Sequence, residues 1–200
     1  MNTLKLSLAA GPAALAFAGA AQAETAVSFN VGATNDYIFR GLSQTLEDPA
    51  VQGGVDVSSG IFYAGAWASN VDFGNGTDAE YDLYVGVKPT LGAATFDFAA
   101  LRYGYMGSPS GSKQDYWEFK GAVSVPAGPA TLGAAVYYSP DFFGGTDEAV
   151  YYEVNGAVAI PNTKISLSAA LGRQDVSYAG DYTTWNVGAG YAITDNIGVD

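Results

Sequence analysis

The chain has 200 residues, with 20 acidic against 8 basic side chains and a formal net charge of −12. That acidic excess repels a phosphate backbone and excludes nucleic acid as a partner. The chain also contains no Cys and no His, which removes disulfides, Ser-His-Asp triads, Cys-His pairs, His-ligated zinc and His general bases.

The first element in the chain is an export signal. Lys5 supplies a short positive region, residues 6–20 are Leu, Ala, Gly, Pro and Phe with one Ser, and Ala21, Gln22 and Ala23 form a small-x-small cleavage site. Residues 1–23 read as a signal peptide, with the mature chain starting at Glu24. The alternative, a membrane anchor helix, needs a longer and less Ala/Gly-rich stretch. The rest is unusual for a soluble domain: 26 Gly, 14 Tyr and only 14 % charged residues, against roughly 25 % in typical globular chains. No mature segment approaches the ~18 uninterrupted apolar residues of a membrane helix.

Strands follow, read from alternation with period two. Over 26–41, Val27, Phe29, Val31, Ala33, Tyr37 and Phe39 alternate with Ser28, Asn30, Gly32, Thr34, Asp36 and Arg40; Asn35 and Ile38 break the pattern. Similar alternation marks 51–58, 80–88, 117–125, 150–160 and 184–193. Segments 61–71, 95–105, 130–139 and 164–172 read as strands of ambiguous parity, and 197–200 as the start of another. Short turn-like connections at 58–60, 89–93, 126–129, 161–163 and 194–196 alternate with longer polar ones at 42–49, 72–79, 106–114, 140–149 and 174–181. Strict alternation of short and long connections is the pattern of outer-membrane barrels, with short periplasmic turns and long extracellular loops.

Aromatic placement supports the same reading. All 14 Tyr except Tyr63 and Tyr191 lie in or near strand ends beside long connections, where barrels carry an aromatic girdle. Phe62, Phe96 and Phe98 sit near short turns and suit the opposite girdle. About 10 residues at roughly 3.4 Å each, tilted by about 45°, cover an apolar band of about 24 Å. The expected fold is therefore all-β: an antiparallel up-and-down transmembrane β-barrel over 24–200. Ten strands are complete and an eleventh has begun. Single-chain barrels have an even number of strands, so the intact protein is expected to have twelve and to continue beyond Asp200. A secreted β-sandwich also alternates, but its polar face would carry more charge than these Gly, Ala, Ser and Asn positions do.

The run from Asn35 through Asp36, Tyr37, Ile38, Phe39, Arg40, Gly41, Leu42, Ser43 and Gln44 to Thr45 resembles the first-strand signature of the TorF-type family of porin-like outer-membrane proteins. Ser69 to Gly74 and Glu80 to Gly86 resemble its next two landmarks, in the same order. The resemblance runs over the whole mature chain and implies an outer-membrane porin; it supplies no catalytic residues. It departs from the family in stopping at Asp200, short of a final strand with a terminal aromatic.

If the apolar positions face lipid, the intervening ones face a lumen. That places Asp36, Arg40, Asp56, Asp82, Lys88, Glu118, Lys120 and Glu153 inside, with Arg40 four residues from Asp36 on the same face of the first strand. These charges suit either a constriction that sorts ions or an ion-pair network that braces the lumen. Arg102 falls on the lipid face by simple parity, so a β-bulge before it or a position at the extracellular rim is expected. The loop acids Asp72, Asp78, Asp141, Asp147 and Glu148, with Asn75 and Glu80, fit no defined calcium loop and read as a solvated surface. The Asp72-Phe73-Gly74 triplet matches a kinase signature by chance, since nothing else of a kinase is present.

The expected activity is passive diffusion of small solutes or ions through a narrow polar lumen in the bacterial outer membrane, without cofactor, bound metal or catalysis. The rival is a closed structural or surface-binding barrel acting through its loops. An enzyme relying on carboxylates alone has no motif behind it. Outer-membrane lipid and small solutes are the expected partners; oligomeric state is open.

Overall fold

Small or polar residues at every second position favour a sheet with two unlike faces. The computed structural model describes residues 24–200, and the expected signal peptide at 1–23 lies outside the described residues. The strands are β1 (Ala26–Thr34), β2 (Ile38–Phe39), β3 (Leu42–Ser43), β4 (Ala50–Ser59), β5 (Phe62–Asn70), β6 (Ala79–Val87) and β7 (Thr90–Leu91). They continue as β8 (Ala94–Met106), β9 (Tyr116–Ala127), β10 (Ala130–Ser139), β11 (Ala149–Ala159), β12 (Ile165–Val176), β13 (Tyr182–Ala192) and β14 (Gly198–Val199). Among the described residues there is no helix.

One antiparallel up-and-down sheet holds the order β1-β4-β5-β6-β8-β9-β10-β11-β12-β13-β14, with the short β7 paired to β8. Its edges, β1 and β14, are not paired with each other. The β2–β3 hairpin forms a separate two-stranded sheet. Short turns join β9 to β10 and β4 to β5; Gly128, with φ +64°, supplies the left-handed residue of the first.

Residues opposite each other in the ladder share a face. On one face Phe29 stands opposite Val55, Ala66 opposite Leu83, Phe119 opposite Tyr138 and Leu171 opposite Trp185. On the other, a row crosses the sheet from Trp67 to Asp82, Tyr103 and Tyr116, and another runs from Lys120 to Tyr137, Tyr151, Gln174 and Tyr182. The burial is inverted relative to a soluble domain. Trp185 is 71 % exposed and Val187 72 %, while the largest fully buried side chains are Gln174, Glu80, Glu118, Thr45, Thr77 and Ser139.

The polar face is concave. Tyr37 packs edge-on against Trp67 of β5, and Arg40, three residues later, reaches Gln174 of β12. In a flat sheet those strands, six ladder steps apart, would be separated by about 29 Å at ~4.8 Å per step. Two side chains so close in sequence cannot bridge that gap, so the sheet wraps around them.

Several expectations need correction. The first strand ends at Thr34 and not at 41, because β4 starts at Ala50, the ladder partner of Thr34. The residue before it, Pro49, has no N–H for the ladder. Beyond Thr34 the chain turns away, with Thr34 Oγ1 donating to the Asp36 carbonyl at 2.9 Å. Asp36 and Arg40 therefore do not share a strand face. At the other end β12 runs on to Val176, absorbing Gln174 from the expected loop. Of the tyrosines expected in a girdle, Tyr84, Tyr103, Tyr116, Tyr137 and Tyr151 are on the polar face, and only others such as Tyr81, Tyr138 and Tyr152 are on the apolar face.

Arg102 has no bulge before it, since β8 keeps unbroken register with β6 and β9. It does lie on the outer face, between Leu83 and Trp117. Its stem runs along that face towards the long-loop end, where Nη1 donates to the carbonyls of Tyr103 (2.8 Å) and Tyr116 (3.0 Å) and Nη2 to Asp115 (2.8 Å). Snorkelling of this kind carries the charge to the edge of the apolar face without a change of register.

Candidate functional site

The concave face is built around residues 35–49, which leave the sheet after β1 and return at β4. Asp36 fastens the base of the inner hairpin, accepting from Ser43 Oγ at 2.6 Å. The Tyr37 N–H donates to Thr45 Oγ1 at 3.2 Å, and the Gln44 N–H to the Tyr37 carbonyl at 2.7 Å. At the tip, Phe39 pairs with Leu42 across the two-residue loop Arg40-Gly41. Arg40 has φ +48° and Gly41 φ +82°, the positive pair that a type I′ turn demands. Asn-Gly would meet that demand at low cost, whereas an Arg there is strained.

The Arg40 side chain offsets that strain. Nη1 donates to Glu118 Oε1 at 2.7 Å and Nη2 to Oε2 at 2.9 Å, a bidentate pair, and Nη1 also reaches Gln174 Oε1 at 3.1 Å. Its guanidinium lies 4.3 Å from the Tyr151 ring centroid, 4.6 Å from Phe39 and 4.8 Å from Tyr137. The Arg40 and Glu118 side chains are 6 % and 2 % exposed. Burial alone would lower the pKa of the guanidinium, but the Glu118 carboxylate outweighs it and holds Arg40 charged, above its ordinary value. Tyr103 OH donates to the same carboxylate at 3.1 Å.

A second network lies towards the short-turn end. Lys120 Nζ is 2.8 Å from Asp97 Oδ2 and Lys88 Nζ 3.6 Å, while Tyr63 OH donates to Asp97 Oδ1 at 2.6 Å. Lys88 also sits 4.8 Å over the Tyr63 ring. Two other inward carboxylates, Asp56 and Glu153, are held by neutral donors. Tyr84 OH donates to Asp56 at 2.5 Å, and Tyr151 OH and Asn155 Nδ2 donate to Glu153 at 3.0 and 2.7 Å.

All eight residues singled out in the sequence thus belong to this side of the sheet. Arg40 and Glu118 form one pair, Lys88 and Lys120 meet at Asp97, and Asp36 works locally at the hairpin base. Asp82 stands opposite Trp67 and Tyr103, its Oδ1 buried without a hydrogen-bond partner among the described residues. Sequence reasoning missed Asp97, Gln174 and the inward role of Glu80, which is 2 % exposed and accepts from Tyr37 OH at 3.1 Å. Asp97 was legible as the polar position between Phe96 and Phe98.

Above the hairpin three long connections knit together. Phe73, Tyr105 and Phe143 pack with centroids 5.3–5.6 Å apart. Thr77 Oγ1 donates to Gln114 at 2.7 Å, and the Gly144 N–H to the Lys113 carbonyl at 2.8 Å. Two polar side chains of the first of these connections shape the turn itself, Asp72 accepting from the Gly74 N–H and Asn75 from the Thr77 N–H.

Chemically the arrangement offers a polar, net acidic inner surface, occupied at the long-loop end by a pinned hairpin. Residues 18–199 match the family described as "Bacterial protein of unknown function (Gcw_chp)", and the chain belongs to that family. No curated protein and no solved structure matches it.

Proposed function

We propose that this member of the family is an exported outer-membrane β-barrel whose concave face lines a narrow polar lumen for the passive diffusion of small solutes or ions. The observation that carries the reading is the inverted burial: Glu80, Glu118 and Gln174 are enclosed, while Val85, Trp185 and Val187 are exposed. A soluble sandwich buries the apolar faces of its sheets. A sheet with its apolar face outward is stable where lipid is the surrounding solvent. The same reading explains why Arg102 runs its charge to the rim.

The closed-barrel alternative is favoured by one specific feature, the Arg40 hairpin across the long-loop end. Planar-bilayer recording from refolded protein separates the two. Discrete single-channel steps are expected for a diffusion channel, whereas silent, correctly folded protein would leave the structural barrel.

A further inference from the structure

The hairpin in the concave face is attached in an uneven way. Among the described residues its strands, β2 and β3, pair only with each other, and no ladder joins them to the large sheet. Its base is tied within the same connection through Asp36, Ser43 and Thr45, and to its surroundings through Tyr37, whose OH donates to Glu80 at 3.1 Å, and Gln44, whose carbonyl accepts from the Asp72 N–H at 2.8 Å. The polar ties of its tip to the wall all come from one side chain. Arg40 alone contributes the bidentate pair to Glu118, the bond to Gln174 and the stacking on Tyr137 and Tyr151. Phe39 adds an edge-on contact to Tyr103 at 5.9 Å.

The turn geometry gives an independent argument for the importance of this tie. A two-residue turn with two positive φ angles is easiest with Asn-Gly or Asp-Gly. Placing Arg at the first position, at φ +48°, makes the hairpin itself less stable. The residue is favourable only when the hairpin is seated, because only then does the guanidinium meet Glu118. Downstream, Leu46 and Glu47 also have positive φ, +53° and +67°, and both are exposed. These two positions form a backbone corner that is itself tied to the hairpin base, the Glu47 N–H donating to Ser43 Oγ at 2.9 Å.

We propose that the 38–43 hairpin is a resident plug of the lumen, and that the Arg40–Glu118 pair, as its seat, sets the size of solute the lumen passes. This rests on the channel reading above. Arg40 acts as a positioning residue: it holds the plug and does not itself bind the solute. When the pair is broken the tip has no backbone bond to keep it against the wall, and it tilts away while Tyr37 and Gln44 hold the base.

The absence of native Cys makes a clean test possible. Phe39→Cys places a single thiol on the plug, and its rate of reaction with a bulky, water-soluble maleimide reports seating independently of any current. Measured in refolded protein in lipid, Phe39→Cys alone reacts slowly. Adding Glu118→Gln, which keeps the side chain's shape and removes its charge, speeds the reaction by at least about tenfold, as expected when a buried pair loses one partner. Without the Cys, Glu118→Gln raises single-channel conductance several-fold and lets liposomes swell in a larger sugar than the parent admits. Arg40→Lys, which keeps the charge and loses the fork, falls between. Equal labelling rates with and without Glu118→Gln overturn the seat. Faster labelling with a conductance and sugar cut-off equal to those of a conducting parent overturns the role of the plug in setting solute size. If neither protein conducts while labelling still accelerates, the channel reading fails and the sizing role falls with it.

Discussion

The two ends of the concave face solve one problem differently. At the long-loop end a single buried guanidinium joins a carboxylate, an amide and three aromatic rings, and both charged side chains are almost fully enclosed. At the short-turn end two lysines share Asp97, and Lys88 remains 41 % exposed. The first arrangement depends on every partner, because an uncompensated charge in an enclosed site is costly. The second is less enclosed, Lys88 reaching solvent while Lys120 and Asp97 are 18 % and 11 % exposed, so water takes over part of a lost partner's role. A concave face organised in this way is pinned at one end and adaptable at the other.

Unequal dependence can be measured. Glu118→Ala strands Arg40 and is expected to cost about 3–5 kcal/mol, read as the shift of equilibrium unfolding in urea with the protein in lipid. Asp97→Asn, at the solvated end, is expected to cost about 1–2 kcal/mol in the same assay. Equal losses at the two ends would break the comparison. A third test sharpens it through electrostatics. Arg40 is neutralised by Glu118 and both lysines face Asp97, whereas Asp56 and Glu153 are held only by Tyr and Asn donors. The lumen is therefore expected to favour cations, and Asp56→Asn with Glu153→Gln moves the reversal potential in a salt gradient towards zero. The smallest effect belongs to the outer rim. The Arg173 side chain, 52 % exposed and paired with Asp175 and Asp181, should lose about 0–1 kcal/mol on change to Ala.

Most of the fold was legible because period two is a direct record of a sheet with two unlike faces. Val27, Phe29 and Val31 against Ser28 and Asn30 predicted β1 in place, and the parity of Glu118, Lys120 and Glu153 predicted which way they point. The errors arose where period two continued without a ladder. Tyr37 and Phe39 extend the alternation of β1, yet Pro49 cannot supply the partner N–H, and the chain leaves the sheet. Asn35 and Ile38, which break the pattern, and Pro49 are the local signals of the strand end, and none of them specifies an inward hairpin. The tyrosines misled for a related reason. Their position along the strands was read correctly, but Tyr103, Tyr116 and Tyr137 occupy the polar parity, and a phenol beside a carboxylate is as much an interior residue as a girdle one. The partner of Arg40 was out of reach of the sequence, since Glu118 is 78 positions away and only the curvature of the sheet brings them together.

The three tryptophans test the central claim most directly, because they divide between the faces. Trp117 and Trp185 are on the apolar face, 49 % and 71 % exposed, and Trp67 is on the concave face against Tyr37. Single-Trp variants refolded into bilayers whose acyl chains carry bromine should show strong quenching of Trp117 and Trp185 and little of Trp67. Quenching of Trp67 as strong as that of the other two, or no quenching of any of them, would contradict a barrel that turns its apolar face to lipid and encloses its polar one.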